Sequence, residues 1–431
     1  MAMRRDFGNK LSGKLRLSAD TEFQFLTLDD VVTKEKTVFV RVDINCPLDP
    51  STKRILDDTR IRMTRETLES LRDAKVVLGS HQGRPGDEDF TTLEEHAKLL
   101  QKYVTQHVKF VEDTIGPEAR NQIRNLRVGQ ILVLDNLRLC SEETISGKPE
   151  LLAKTVMVQR LSKLLDIFVN DAFATAHRAQ ASLVGLPQAV PAVAGKLMAR
   201  ELEALKKAYY APERPSVYIL GGAKAEDKLP IIENILATGR ADKVLVGGVL
   251  ANVLLRSMGV DFGETENHRL ERSAALIDKA RAILAKYKDK LVLPKDLAVL
   301  REGKRLEVPV EQGIPGEAVR DIGKETMREY AEIVRQSKTA VSSGPRGVFE
   351  EKAFELGSKT VLQAMVDQRG FTVVGGGHMG SYASMLELEG RLSHISTAGG
   401  AMLAFLAGEE LPGVKALLDA ARRQKTTWKG S

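Results

Sequence analysis

Residues Tyr218 to Leu229 read Y-I-L-G-G-A-K-A-E-D-K-L, and the reading of this stretch decides the fold. The apolar run Val217–Leu220 stops at Gly221 and Gly222, and an amphipathic pattern carrying Lys224 and Lys228 follows at once. That order predicts strand, tight turn and helix. The glycine pair lets backbone N–H groups approach an anion closely, the helix start adds unpaired N–H groups and a positive dipole end, and the lysines add mobile charge. Together they make a candidate phosphate cradle. A plain βα turn with two solvated lysines would read the same in isolation, so the rest of the chain has to decide between the two.

At 431 residues the chain exceeds what one core usually serves, which predicts two domains. Apolar content of 43%, charged content of 28% and the lack of a membrane-length apolar run exclude a helical membrane-spanning protein. The net charge of +6 raises the possibility of a basic nucleic-acid-binding α/β protein. Against it, the lysines and arginines are dispersed and aromatic residues make up only 5%, too few for a base-stacking platform. A basic site for a polyanionic small molecule explains the same excess. Cys46 and Cys140 are the only cysteines, too few for a disulfide framework or a cysteine-rich metal site, which fits a reducing cytoplasm. The first twenty residues are basic but lack an apolar signal core, and are expected to form an extension rather than a secretory signal.

Strand-like apolar runs alternate with helical patterns along the whole chain, the signature of βα units on a parallel sheet. In the first half the runs are Val38–Val42, Lys75–Gly79, Val108–Val111, Ile131–Leu134 and Ile167–Val169, and a helical stretch is expected from Arg62 to Arg72. Polar clusters follow most of these strands: R-V-D-I-N, S-H-Q-G-R-P, D-N-L-R and N-D-A-F-A-T-A-H-R, with D-D-T-R-I contributed by Asp57 to Ile61. In an open parallel sheet the carboxyl ends of the strands share one crevice, so these clusters converge. Arg60, Arg84, Arg138 and Arg178, with His81, thereby stand at separate strand ends, and guanidinium forks match phosphate and carboxylate oxygens. Asp43 and Asn45 are matching acceptors for substrate hydroxyls or neighbouring arginines.

In the second half the strand-like runs end in G-G-A-K (221–224), V-G-G (246–248), P-K-D (294–296), S-S-G-P (342–345), G-G-G-H (375–378) and T-A-G-G (397–400). Glycine-rich strand ends suit flat bases and phosphates, both of which need close backbone approach. Between the halves, Lys196 to Ala208 has helical periodicity and suits a connecting helix ended by Pro212 and Pro215. A short amphipathic helix after Leu411-Pro412-Gly413 is expected to return to the first domain. The reading is an α/β chain of two domains, each a doubly wound parallel sheet with helices on both faces. Residues 1–195 rejoined by 413–431 form one domain and 196–412 the other, with hinges around Ala194–Ala199 and Leu411–Val414. Without both ligands the two domains are expected to stand open.

The ordered set R-V-D-I-N-C-P, D-D-T-R-I, S-H-Q-G-R-P, D-N-L-R, N-D-A-F-A-T-A-H-R-A, G-G-A-K-A-E-D-K, S-G-P-R-G-V-F-E, G-G-G-H and S-H-I-S-T-A-G-G-A resembles phosphoglycerate kinase, most of all its archaeal members. The resemblance covers nearly the whole chain after about residue 25. It implies reversible transfer of a phosphoryl group between 1,3-bisphosphoglycerate and ADP, giving 3-phosphoglycerate and ATP, with Mg²⁺, in the cytoplasm, by a monomer or homodimer without nucleic-acid or membrane partners. Carried over to matching positions, the acid-substrate side is Asp43, Ile44, Asn45, Arg60, His81, Gln82, Gly83, Arg84, Arg138 and Arg178. The nucleotide side is Gly221, Gly222, Lys224, Lys228, Gly247, Gly248, Pro345, Glu350, Gly376, Gly377, His378, Met379, Gly399 and Gly400. Arg60 and Lys224 are the expected catalytic pair.

Departures from the common family pattern fall on the nucleotide side: Ser343 for Asn, His378 and Met379 for Asp and Thr or Ser, and Ala398 for one of three glycines. Mg²⁺ prefers hard oxygen ligands, so a neutral imidazole at 378 is a poor substitute for a carboxylate. His378 is therefore expected to hydrogen-bond a nucleotide phosphate, and no protein metal ligand is assigned. The chemistry agrees with the resemblance, because phosphoryl transfer to or from a carboxylate needs positioning and positive charge more than a general base. A dinucleotide-dependent dehydrogenase is disfavoured by the lack of G-x-G-x-x-G after the first strand, and a Walker-type ATPase by the lack of G-x-x-x-x-G-K-[S/T].

Overall fold

The computed structural model describes residues 24–270, 274–314 and 316–428. They divide into two compact units, one running through Glu201 and resuming at Glu410, the other Leu202–Glu409. The first unit holds strands β1 (Thr37–Val42), β2 (Lys75–Gly79), β3 (His107–Val111), β4 (Gln130–Leu134), β5 (Ile167–Asp171) and β6 (Ala192–Ala194). They form one sheet in the order β3-β4-β2-β1-β5-β6, and all its pairs are parallel. Both faces are covered, which is why β1 reads as a near-continuous apolar run rather than an alternating one. Val38, Val40 and Val42 of β1 pack in one core with Val76, Leu78, Ile131, Val133, Ile167, Val169 and Val193. The chain leaves β1 toward β2 on one side and returns through β5 on the other, so the topological switch, and with it the crevice, lies at the carboxyl end of β1.

The second unit repeats the plan. Strands β7 (Ser216–Leu220), β8 (Lys243–Val246), β9 (Leu291–Val292), β13 (Thr339–Ser343), β14 (Phe371–Gly375) and β15 (His394–Ile395) form a parallel sheet in the order β15-β14-β13-β7-β8-β9. Its switch point lies at the end of β7, between β13 and β8. The unit is not wholly parallel, however. Strands β10 (Asp296–Arg301), β11 (Lys304–Pro309) and β12 (Val319–Ile322) form a separate antiparallel sheet that the sequence reading does not contain.

Three local readings change in the structure. The helix expected from Arg62 to Arg72 is two short helices, Thr59–Met63 and Arg65–Glu69, broken where the Thr64 hydroxyl donates to the Ile61 carbonyl at 2.8 Å. The connecting helix spans Lys196–Leu205 and then widens into a π-helical turn, Lys206–Tyr210, whose tyrosine rings pack edge-on against Phe405. P-K-D follows β9 but runs straight on into a further strand: Asp296 opens β10, and its carboxylate accepts the N–H groups of Glu325 at 3.0 Å and Thr326 at 2.8 Å, at the start of the helix Lys324–Gln336. The helix Pro412–Trp428 packs against β6, with the Gly413 N–H donating to the Ala176 carbonyl at 2.8 Å. No helix among the described residues is long and apolar enough to cross a membrane.

Because Asp296 satisfies orphan N–H donors at a helix start from another element, it acts as a remote N-cap. Asp296→Ala is expected to lower unfolding free energy by about 2 kcal/mol in denaturant titration while leaving kcat within about twofold. A large kcat loss with unchanged stability would return this residue to the functional site.

Candidate functional site

The crevice of the first unit is built on side chains. Asp43, just beyond β1, pairs with Arg60 from the helix Thr59–Met63. Asn45 donates its backbone N–H to the other Asp43 oxygen at 3.1 Å, and its side-chain oxygen accepts the Gly83 N–H at 2.9 Å. The Gly83 carbonyl in turn accepts from Arg138, whose burial lowers its pKa to about 10. The segments after β1, β2 and β4 are thereby tied at one place. His81 lies buried between two guanidinium groups, with Nδ1 3.4 Å from Arg41 Nη2 and Nε2 3.5 Å from Arg178 Nη1. Burial first, then the charges of Arg41, Arg138, Arg178 and Arg60, hold its pKa well below the ordinary value. A neutral imidazole has a single lone-pair nitrogen, so it accepts from one of these arginines and not from both.

Arg41 and Glu143 are part of this arrangement that the sequence reading missed. Arg41 stands near the carboxyl end of β1, fully buried, 3.6 Å from the Glu143 carboxylate, with its Nε donating to Ser182 Oγ at 2.9 Å. Ser182 ties Glu143 in place through its N–H at 2.8 Å. The signal was present as a lone charge inside an otherwise apolar strand, which demands a buried partner. Arg84 is exposed at the rim, and Arg178 is half-buried. Ile44 and Gln82 turn their side chains elsewhere. The Ile44 side chain belongs to the core, and the Gln82 amide is committed to both backbone groups of Cys46 (2.9 and 3.0 Å) and to His96.

The crevice of the second unit is built on backbone. A Cβ on Gly221 would stand 2.2 Å from the Pro345 carbonyl oxygen, and Gly222, Gly248 and Gly344 take positive φ angles of 101°, 59° and 77°. Lys224 is exposed and sits at the N-cap of the helix Ala225–Ala237. Lys228 is not the mobile charge its spacing suggests. It is buried, donates to Ser343 Oγ at 3.1 Å, and has its pKa lowered to about 8, by burial first and then by Arg346. The G-G-G-H turn opens the helix Gly377–Met385, with Gly376 at φ 94°, and a Cβ on Gly399 would stand 3.5 Å from Gly376 Cα. The T-A-G-G segment, where Gly399 and Gly400 start the helix Gly399–Leu406, thus lies against that turn. His378 is exposed, its ring centroid 6.3 Å from that of Phe349, and Glu350 is exposed as well. Met379 is buried in the core, so its side chain is unavailable to a ligand. Gly247 packs on the stem of Arg346, with a Cβ there 3.2 Å from Arg346 Cδ.

One crevice of converging guanidinium groups and a second of glycine backbone and lysine, each at the switch point of a parallel sheet, define a two-domain α/β kinase of small anionic substrates. The chain belongs to the phosphoglycerate kinase family, whose sequence model matches residues 28–409. It is 45% identical to the phosphoglycerate kinase of Methanothermus fervidus over 405 residues, 93% of this chain and 98% of that one. It is 44% identical to that of Methanothermobacter thermautotrophicus over 399 residues, covering 92% and 97% of the two chains. The crystal structure of the Pyrococcus horikoshii enzyme superposes with a TM-score of 0.83 at 42% identity, covering 92% of this chain and 99% of that one. The structure from Coxiella burnetii gives 0.77 at 32%, covering 92% and 99%. The chain is accordingly a glycolytic, ATP-using kinase.

A histidine whose folded pKa lies below its unfolded value stays neutral while the unfolded chain takes up a proton, so stability falls as pH drops through the unfolded value of about 6.5. His81 and His96, the latter lowered to about 4 by burial, act in this same direction. Chemical denaturation between neutral and mildly acidic pH should show this loss, and His81→Asn should flatten it. An unchanged pH slope in the variant would mean that His81 takes up its proton as readily in the fold as in the unfolded chain.

Proposed function

We propose that the chain moves a phosphoryl group reversibly between the acyl phosphate of 1,3-bisphosphoglycerate and the terminal phosphate of ADP, with a carboxyl group as the acceptor in the reverse direction. The observation that carries this reading is the set of arginines gathered around a neutral His81 at the switch point of the first sheet. Such a concentration of guanidinium charge suits a small molecule bearing both carboxylate and phosphate. In this reading Arg138, Arg178, Arg84 and the Asp43–Asn45 segment hold the acid substrate. Gly221, Gly222, Lys224, Lys228 and the turns at Gly247–Gly248, Pro345, Gly376–Gly377 and Gly399–Gly400 receive the nucleotide.

Arg60 and Lys224 are the catalytic groups of the proposal. Charge develops on the equatorial oxygens of the transferring group, and preplaced cations stabilise it without reorganising. The reacting oxygens must come to about 3–3.5 Å of the phosphorus, so substrates held on separate domains require closure between them. The second crevice offers cations and backbone N–H groups, a donor set that fits the phosphates of a magnesium nucleotide. Among the described residues no three His, Cys, Asp or Glu side chains come together as a metal site. Mg²⁺ sheds its water reluctantly and imidazole is a poor ligand for it, so it would be held mainly by phosphate oxygens and water, and when bound it would supply neutralisation of phosphate charge.

A coupled assay of ATP-dependent phosphorylation of 3-phosphoglycerate tests the reaction directly. Arg60→Ala and Lys224→Ala are each expected to lose about 10²-fold or more in kcat, the usual cost of ~3 kcal/mol for one such donor, with smaller changes in substrate binding. Near-normal kcat in either variant would remove that residue from the transition state.

A second test concerns His378 in the G-G-G-H turn. If the imidazole meets a phosphate and not the metal, His378→Asp should lower the free Mg²⁺ needed for half-maximal rate, because a carboxylate is a hard ligand and imidazole is not. An unchanged midpoint in the Mg²⁺ titration would reject this, and unchanged ADP affinity in His378→Ala would reject the phosphate contact.

A further inference from the structure

Arg346 follows the S-G-P turn at the end of β13 and takes no part in the chemistry described so far. It is fully buried. Its backbone N–H donates to Ser358 Oγ at 3.0 Å, its carbonyl accepts the Gly248 N–H at 2.8 Å, and its Nη1 donates to Ser342 Oγ at 3.1 Å. Among the described residues its Nε and Nη2 have no hydrogen-bond partner. The acidic group whose charge reaches it, Asp321, is engaged elsewhere: its Oδ2 accepts from Arg305 at 2.9 Å and from the Gly357 N–H at 2.9 Å, and its Oδ1 from the Ile322 N–H at 2.9 Å. The nearby Tyr330 phenol is occupied by the backbone of Val246 and Val292. Among the described residues the guanidinium is thus a buried cation with no ion-pair partner.

Its position gives that charge a use. A Cβ on Gly221 would stand 3.2 Å from Arg346 Nε, and one on Gly247 would stand 3.2 Å from its Cδ, so the side chain forms the floor under the first glycine of the cradle and under the glycine after β8. Ser342 holds Arg346 while its neighbour Ser343 holds Lys228. Successive strand residues face opposite sides of a sheet, so the two cations flank the end of β13 from its two faces. An unpaired buried guanidinium is costly to the empty protein, and an apolar side chain of similar length would fill the same space without that cost.

We propose that Arg346 is a built-in counter-charge for the nucleotide phosphates: the free protein carries it uncompensated, and a polyphosphate bound in the second crevice compensates it through the buried floor. It acts through the field in a low-dielectric interior and as a positioning residue, without touching the reacting atoms. The inference rests on placing the nucleotide in this crevice, and it predicts that phosphate affinity is gained against the stability of the empty enzyme.

The test uses full-length Arg346→Met and Arg346→Lys, with calorimetric Kd values for ADP and for adenosine without Mg²⁺, and the melting temperature without ligand. Arg346→Met should weaken ADP by about tenfold or more, leave adenosine within about twofold, and melt at or above the wild-type temperature, while Arg346→Lys keeps most of the ADP affinity. Unchanged ADP affinity in Arg346→Met, equal losses for ADP and adenosine, or a free Arg346→Met protein that melts lower or does not fold would each overturn the proposal and leave Arg346 a structural residue. If the wild type itself failed to bind ADP, the nucleotide assignment of the crevice would fall instead, and adenosine binding would not rescue it.

Discussion

The second unit depends on the contact of backbone with backbone where β7, β8 and β13 end. A Cβ on Gly344 would stand 2.2 Å from the Gly221 carbonyl oxygen, and one on Gly248 would stand 2.9 Å from the Gly222 nitrogen. Gly248 also donates its N–H to the Arg346 carbonyl at 2.8 Å, at a φ of 59° that L side chains seldom adopt. These turns can close on one another only because no side chain intervenes. The closure fixes where the helix Ala225–Ala237 begins, where Lys224 sits at its N-cap, and how Lys228 reaches Ser343.

The first unit solves the opposite problem, that of holding like charges together. Arg41, Arg138 and Arg178 surround one imidazole, and what balances them is a buried assembly of Glu143 and Ser182 on the far side of Arg41, with Asp43 on Arg60. A buried pair such as Arg41–Glu143 contributes little net stability against apolar replacements, yet removing one partner leaves a naked charge. Its effect here is orientation. Arg41 is held at Nε by Ser182 and so presents Nη2 to His81, which burial and the arginines together keep uncharged. The positive field of the crevice therefore comes from groups that cannot lose their protons, and it does not vary with modest changes of pH.

The parts of this architecture legible from residues alone were those with local signatures. The strands beginning near Val38, Lys75 and Val217 announced themselves by apolar runs ending in polar or glycine clusters, and the topology rule for parallel sheets then gathered the clusters correctly into crevices. The antiparallel sheet of β10, β11 and β12 escaped because the apolar run Leu297–Leu300 of β10 follows P-K-D directly and β11 and β12 are short and carry several charged residues, so nothing local sets them apart from the ends of parallel strands. Burial of individual polar groups was equally invisible. Lys228, Gln82 and Arg346 look like surface residues by type, and only the packing of distant segments takes each out of water. Asp296 shows the same limit, since its partners lie at the start of a helix about thirty positions later in the chain.

The helix Pro412–Trp428 has an implication for how the molecule is made. Its buried face, Val414, Leu417, Ala420 and Ala421, lies against β6 and the segment around Ala181–Ala189 of the first unit, and Arg423 donates to the Pro187 carbonyl at 2.7 Å. On the ribosome these residues emerge after all of Leu202–Glu409. The unit whose strands are translated first is therefore the one completed last, and the interrupting unit can finish both of its sheets while β6 still waits, uncovered, for the chain that will shield it.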